Sequence, residues 1–265
     1  MASVRQFAAE ILGNREVAES WRELRLSWDA AAGVPLPGQF FTLKVSPYSD
    51  PLLRRPFAFS GYESSSASGA SVSALYQVRG GATRLLAELA SGAPIDLIGP
   101  LGRPFPAPRR GELALLAGGG IGLGPILFLA QALAASPQQP DAVRLAIGLR
   151  SASSLPSLSL PEGTVLCTDD GSAGFHGTPV DWISREVSDS CARLYGCGPA
   201  PMLAALADLA AARGWGASLS AEQWMACGVG ACMGCALPRA DGEGYLRACA
   251  DGPVFEGGEI DWRPR

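Results

Sequence analysis

Apolar and polar positions alternate in short runs through the first hundred residues. The stretches QFFTLKVS (39–46), RPFAFSGY (55–62) and SVSALYQVR (71–79) are rich in aromatic and β-branched residues and bounded by Gly, Pro, Ser or Asp, which predicts strands of a barrel or sandwich. A short helix, TRLLAELAS (83–91), precedes one more strand, IDLIG (95–99), and a proline-rich linker covers 99–111. From residue 112 the rhythm changes. The buried runs ELALLAG, VRLAIGL, GTVLCT and RLYGCG are separated by helical segments, the signature of a parallel α/β sheet. Thr178 followed by Pro179 marks one helix start, and Gly214 marks the end of another. The last fifty residues leave this pattern and become rich in Cys and Gly. The chain therefore divides into a β-domain over 1–107, an α/β domain over 108–216 and a small module over 217–265.

One uncharged stretch, LALLAGGGIGLGPILFLAQALAA (113–135), is long enough to span a bilayer at ~20 residues per crossing. Its five glycines, Pro125 and the lack of a flanking basic cluster point instead to a buried strand, a glycine turn and a helix. The N-terminal residues carry charges where an export signal needs an apolar region. Net charge is −4 without any Lys/Arg run, which lacks the electrostatic footprint of a nucleic-acid binder. Four of the seven cysteines fall between 227 and 249. That odd number and clustering predict a reducing cytoplasm and a metal site rather than a disulfide framework.

Cys227, Cys232, Cys235 and Cys249 are separated by four, two and thirteen residues, the plant-type [2Fe–2S] spacing with a late fourth ligand. Gly228, Gly230 and Gly234 remove side chains that would obstruct a backbone wrapping an inorganic core. A structural zinc site is the alternative, but zinc usually takes two closely spaced cysteine pairs, and only 232 and 235 form one. Cys167, Cys191 and Cys197 lie in or near strands and read as small buried apolar residues. Cys197 stands apart because Gly196 and Gly198 flank it at a strand end, where open α/β sheets bind ligands.

The glycine turn of LLAGGGIGLGPILFL, with Gly118, Gly119, Gly120 and Gly122, could bring backbone N–H groups and a helix N-terminus to a pyrophosphate. It does not match G-x-G-x-x-G, so alone it is equally a tightly packed turn. A second strand-to-helix loop, YGCGPAPML (195–203), adds weight to a nucleotide site. Arg150 would favour a 2′-phosphate, whereas Asp169 and Asp170 would repel one, and the balance favours NAD over NADP. The single histidine, His176, sits in a polar loop and reads as solvated.

Together, LLRRPFAFS (52–60), GPLG (99–102), GGGIGLGP (118–125) and MACGVGACMGC with CADGPVF resemble the electron-transfer subunits of the NAD-linked, two-subunit dihydroorotate dehydrogenases, within the ferredoxin–NADP reductase superfamily. The likeness runs nearly end to end, and the cysteine module is its most specific part. It implies a six-stranded antiparallel barrel binding FAD, an α/β domain receiving NAD, and a [2Fe–2S] module facing an FMN-containing catalytic subunit in a heterotetramer. By this resemblance Arg55 contacts the FAD phosphates, Pro56, Phe57 and Ala58 lie along the flavin, and Gly81, Ala82 and Thr83 cap the pyrophosphate at a helix N-terminus. Gly118, Gly119, Gly120, Gly122, Cys197 and Gly198 fall in the nucleotide loops. The family usually carries Ser or Thr where Ala58 stands, so a side-chain hydroxyl to the flavin ring is missing there, and only backbone groups or Ser60 could supply the bond.

The expected function is an oxidoreductase relay in pyrimidine biosynthesis, from the partner's FMN through the cluster and FAD to NAD⁺, with no general acid or base. The other readings are a reductase subunit serving ferredoxin or another redox partner, for which the related bifurcating enzymes are expected to place Asp at the position of Cys227, a self-contained flavin reductase, and a zinc-stapled binding module. Trp224, Met225, Val229, Ala231 and Met233 beside the ligands predict an apolar docking patch.

Overall fold

A computed structural model describes residues 4–48, 50–66, 69–136 and 142–263. The first part consists of strands β1 (Arg5–Ala18), β2 (Trp21–Trp28), β3 (Phe40–Lys44), β4 (Arg55–Ala58), β5 (Gly61–Ser65), β6 (Gly69–Gln77) and β7 (Pro94–Leu101), with helix α1 (Gly81–Glu88) between the last two. All pairings are antiparallel, in the order β4-β3-β7-β1-β2-β6-β5. Only Phe59 and Ser60 separate β4 from β5, and their N–H groups donate to Gln39 and Ser73 respectively. The two are arms of one bent strand whose ends pair with β3 and β6. Counted so, the expected six strands close into a barrel. Alternating positions fill it: Leu24, Leu26 and Trp28 of β2 point inward with Phe41, Leu43, Phe57 and Phe59, while Arg25 and Ser27 face outward.

The second part holds β8 (Leu113–Gly119), α2 (Leu123–Ala134), β9 (Ala142–Leu149), β10 (Val165–Thr168), β11 (Phe175–His176), α3 (Pro179–Glu186), β12 (Ala192–Cys197), α4 (Ala200–Arg213) and β13 (Gly216–Ser220). With β16 (Val254–Glu256) at one edge, the sheet order is β11-β10-β9-β8-β12-β13-β16, parallel except for the last pair. β8 is buried along its whole length because helices cover both faces. Thr178 caps α3 in a reciprocal box with Asp181, and Gly214 ends α4 at φ 66°. The suspected membrane span is β8 plus α2, and among the described residues no helix is long and apolar enough to cross a membrane.

The C-terminal residues form the hairpin β14 (Ala236–Pro238) with β15 (Tyr245–Arg247), then β16 (Val254–Glu256). The expected boundary at 216/217 falls inside β13, and β16 pairs antiparallel with β13 as the outer strand of the α/β sheet. On its other side the module packs against the barrel, where Cys235, Ala248 and Cys249 share one apolar cluster with Phe40 and Leu101. The linker starts at 102 rather than 99, because Gly99 and Leu101 still pair with Arg5 and Phe40.

Candidate redox site

The cysteine loop turns through three left-handed residues, Gly228 (φ 70°), Met233 (φ 59°) and Gly230 (φ 86°). Gly234, expected to share that task, has no positive φ; a Cβ there would instead lie 3.4 Å from Cys232 Sγ. The turn aims amides at sulfur. Val229 N–H and Ala231 N–H donate to Cys227 Sγ at 3.4 and 3.3 Å, Gly230 N–H to Cys249 Sγ at 3.1 Å, and Gly234 N–H to Cys232 Sγ at 3.4 Å. Cys235 and Cys249 sulfurs stand 3.2 Å apart as free thiols, and Cys249 N–H donates to Cys235 Sγ at 3.4 Å.

Electrostatics divides the four. Burial opposes charge on Cys227, but hydrogen bonds from the Val229 backbone, from Cys232 and from the Ala231 backbone outweigh it and bring that thiol down to about 6. Burial and then the adjacent Cys235 push Cys249 up to about 12. A loop that favours the thiolate at Cys227 and opposes it at Cys249 needs cationic metal to hold both deprotonated. Among the described residues no three such ligands converge on a single ion. Pairs of sulfurs surrounded by N–H donors suit a two-iron cluster better than one tetrahedral zinc.

A signal the sequence reading missed holds this loop. Arg247 grips Asp251 with Nε (3.0 Å) and Nη2 (3.1 Å), and its Nη1 donates to the Gly230 carbonyl at 2.8 Å. The hydrogen bonds from Arg247, first its side chain and then its backbone, keep the Asp251 carboxyl below its usual range. The Arg-x-x-x-Asp spacing was visible, but it straddles Cys249 and reads locally as another turn. Of the five apolar residues beside the ligands, Trp224 (89% exposed), Val229, Ala231 and Met233 are exposed, whereas Met225 packs into the barrel contact.

On the barrel, Arg55 donates to the Leu53 carbonyl at 2.5 Å and has no carboxylate partner among the described residues, which leaves a cation for a phosphate. Ala58 is half-buried at the end of β4. Phe57, expected along the flavin, and Ala82, expected at the pyrophosphate, are each 7% exposed and turn into the barrel core, Phe57 stacking on Phe41 and meeting Tyr76 edge-on; only their backbones can line a site. At the start of α1, Thr83 Oγ1 accepts from Arg79 and Gly80 N–H at 3.0 and 3.1 Å, and added side chains at Gly80 and Gly81 would meet open space. Such an open helix start can take a pyrophosphate.

The two glycine loops meet. A Cβ on Gly122 would sit 2.1 Å from the Cys197 carbonyl oxygen, one on Gly119 2.6 Å from Met202 Sδ, and one on Gly198 2.5 Å from Met202 Cε. Gly118 lies at the strand end paired with Cys197, and Gly120, at φ 53°, borders open space. The Cys197 thiol is pushed up to about 12 by burial and stays neutral. Cys167 is buried in β10 as expected, whereas Cys191, expected to be buried, is exposed just before β12. Asp170 N–H donates to the Arg150 carbonyl, so the opposing charges weighed for a 2′-phosphate are neighbours. His176 is exposed at the same sheet edge. A Cβ on Gly124 of α2 would lie 3.1 Å from Ser60 Cβ beyond β4, so the first glycine loop and the Arg55 strand lie close together.

Comparison with known proteins agrees with this arrangement. Residues 222–261 match the model of the iron–sulfur cluster binding domain of dihydroorotate dehydrogenase B. The chain is 39% identical over 254 residues to the dihydroorotate dehydrogenase B (NAD(+)) electron transfer subunit of Geobacillus thermodenitrificans, covering 94% of this chain and 96% of that one. The Listeria monocytogenes protein of the same description is 38% identical over 265 residues, covering 96% and 98%. Among solved structures, the NADH-dependent reduced ferredoxin–NADP oxidoreductase superposes with a TM-score of 0.77 at 25% identity, over 96% of this chain and 89% of that one. Phthalate dioxygenase reductase shares the fold at a TM-score of 0.57 and 21% identity, over 78% and 64%.

Proposed function

Because the chain belongs to the family of dihydroorotate dehydrogenase B (NAD(+)) electron transfer subunits, we propose that it carries electrons from a dihydroorotate-oxidising, FMN-containing partner to NAD⁺, with the residues below in named roles. It is an oxidoreductase subunit using FAD, a [2Fe–2S] cluster and NAD. When bound, the flavin supplies exchange between a two-electron hydride and the single electrons that an iron–sulfur cluster carries. The chain's own residues do the positioning. Cys227, Cys232, Cys235 and Cys249 hold the cluster, and the amides of Val229, Gly230, Ala231 and Gly234 hydrogen-bond around it.

Arg55 and the open start of α1 at Gly81 and Thr83 hold the FAD phosphates, while the backbone of Pro56, Phe57 and Ala58 supports the ring. With no hydroxyl at Ala58, the ring's polar edge relies on backbone groups or Ser60. Gly118, Gly119, Gly120, Gly122, Cys197 and Gly198 receive NAD; the neutral Cys197 thiol places no charge beside a cationic nicotinamide. Trp224, Val229, Ala231 and Met233 face the partner, so that its docking excludes water from the exposed Cys232 end of the loop. We place the assembly, a heterotetramer with the catalytic subunit, in the cytoplasm, where seven unpaired thiols persist.

The observation that carries this reading is the seating of the four-cysteine loop on β3, directly beside the Arg55 strand. The test is reconstitution. Dihydroorotate-dependent NAD⁺ reduction should require this chain in addition to the FMN subunit, and yellow-brown protein should release flavin on denaturation. Equal activity without it, or colourless protein holding stoichiometric zinc and no acid-labile sulfide, would overturn the assignment.

A further inference from the structure

We propose that the Thr42 hydroxyl donates a hydrogen bond to sulfur at the cluster and thereby sets its reduction potential, an inference that rests on the reading of the four cysteines as cluster ligands. Thr42 is 2% exposed, and its Oγ1 is buried without a hydrogen-bond partner. Its cross-strand neighbours are Pro56 on β4 and Ile98 on β7. Neither side chain can accept a proton. The element lying over Thr42 is the cysteine loop: a Cβ on Gly228 would stand 3.0 Å from the Thr42 methyl and 4.0 Å from Leu101 Cδ1.

A buried hydroxyl left unpaired is destabilising, and valine has a similar shape without that penalty. The hydroxyl therefore has a partner in the loaded protein. Loading adds an acceptor at this face, the sulfur of the cluster itself, held in part by Cys227, one residue from Gly228. The loop amides approach Cys227 from within the loop, at Val229 and Ala231. Thr42 meets the loop from the barrel, at Gly228. Hydrogen bonds to sulfur favour the more negative, reduced cluster and raise its potential. The potential of the cluster is then set partly by the flavin domain, from a strand paired with the one that carries Arg55.

The experiment is an EPR-monitored redox titration of the anaerobically purified holo-chain, wild type against Thr42→Val and Thr42→Ser, with iron, acid-labile sulfide and melting temperature measured on each. Thr42→Val should load fully and shift its midpoint negative, lowering the reduced-to-oxidised ratio at fixed potential roughly tenfold, which is about 59 mV for one electron. Thr42→Ser should stay near wild type, and Thr42→Val should not melt higher. A loaded Thr42→Val with unchanged midpoint and g-values and a raised melting temperature means that the hydroxyl is merely unpaired, and the inference fails. A shift of the flavin potential with a fixed cluster midpoint also overturns it. If valine prevents loading, Thr42→Ala supplies a second hydroxyl-free variant judged by the same midpoint. Wild-type protein that lacks acid-labile sulfide and an EPR signal on reduction refutes the cluster reading itself, a result distinct from all of these.

Discussion

Substituting Gly122 by alanine tests whether the two glycine loops form one nucleotide site. The added methyl would lie 2.1 Å from the Cys197 carbonyl oxygen, 2.3 Å from its carbon and 2.7 Å from Gly198 N, well inside the 3.4 Å at which ordinary contact begins. All three atoms are backbone, so no rotamer change relieves the clash and the loops must separate. Overpacking of this kind costs about 1–3 kcal/mol. If nucleotide binding must draw the loops back together, that cost appears in affinity as a roughly 5- to 150-fold loss. NADH titration followed by flavin fluorescence, together with NADH-dependent dye reduction, reads the effect. Flavin and cluster absorbance should not change, since Gly122 meets neither β4 nor the cysteine loop. Gly163→Ala, outside both glycine loops, is the control: its φ of 76° strains alanine by about 1–2 kcal/mol, yet its would-be Cβ meets open space. It should lower the melting temperature and leave NADH affinity within about threefold, below ~1 kcal/mol. Wild-type NADH affinity in Gly122→Ala would refute the reasoning.

Asp251→Asn removes the two-pronged partner of Arg247 and should speed loss of the cluster, followed by its visible absorbance during incubation with a chelator; because the folded carboxyl titrates below its usual range, the same loosening should appear in wild type as pH falls through that lowered value, and be absent at neutrality. Met233→Glu should leave the cluster spectrum intact and weaken capture of the catalytic subunit, measured by co-purification; unchanged capture counts against an interface at the loop tip. Thr178→Ala should destabilise the chain by about 1 kcal/mol at pH 7 in urea unfolding, through loss of the α3 cap. The hydrogen bonds from Thr178 depress the Asp181 carboxyl in the folded state, so the difference should be full at neutral pH and shrink as pH falls through the lowered value.

Features carried by local covalent spacing were legible in the sequence. The first three cysteines, the α3 cap and the strand-turn-helix around Gly120 each depend on neighbours a few residues apart, and Cys249 follows within the same short module. The β1–β2 hairpin was harder, because the outward Arg, Glu and Ser positions break the apolar runs; in β2 the inward alternation of Leu24, Leu26 and Trp28 is plain once a face is known. Side-chain direction was not legible for Phe57 and Ala82, since resemblance places a residue along a cofactor without saying which way the pleat or helix turns it. Thr42 could not be found at all from sequence. Its significance comes from a loop nearly two hundred positions away settling on its strand.

The docking of β16 onto β13, with Cys235, Ala248 and Cys249 packed on Phe40 and Leu101, means that the cysteine-rich segment is riveted to both larger bodies. A hinge between the bodies would have to disturb those contacts, so the segment's separation from the Arg55 strand should hold as nucleotide comes and goes. Limited proteolysis should accordingly fail to release a small iron-bearing fragment, and residues 217–265 grafted onto another reductase would arrive without two of the walls that shape their loop.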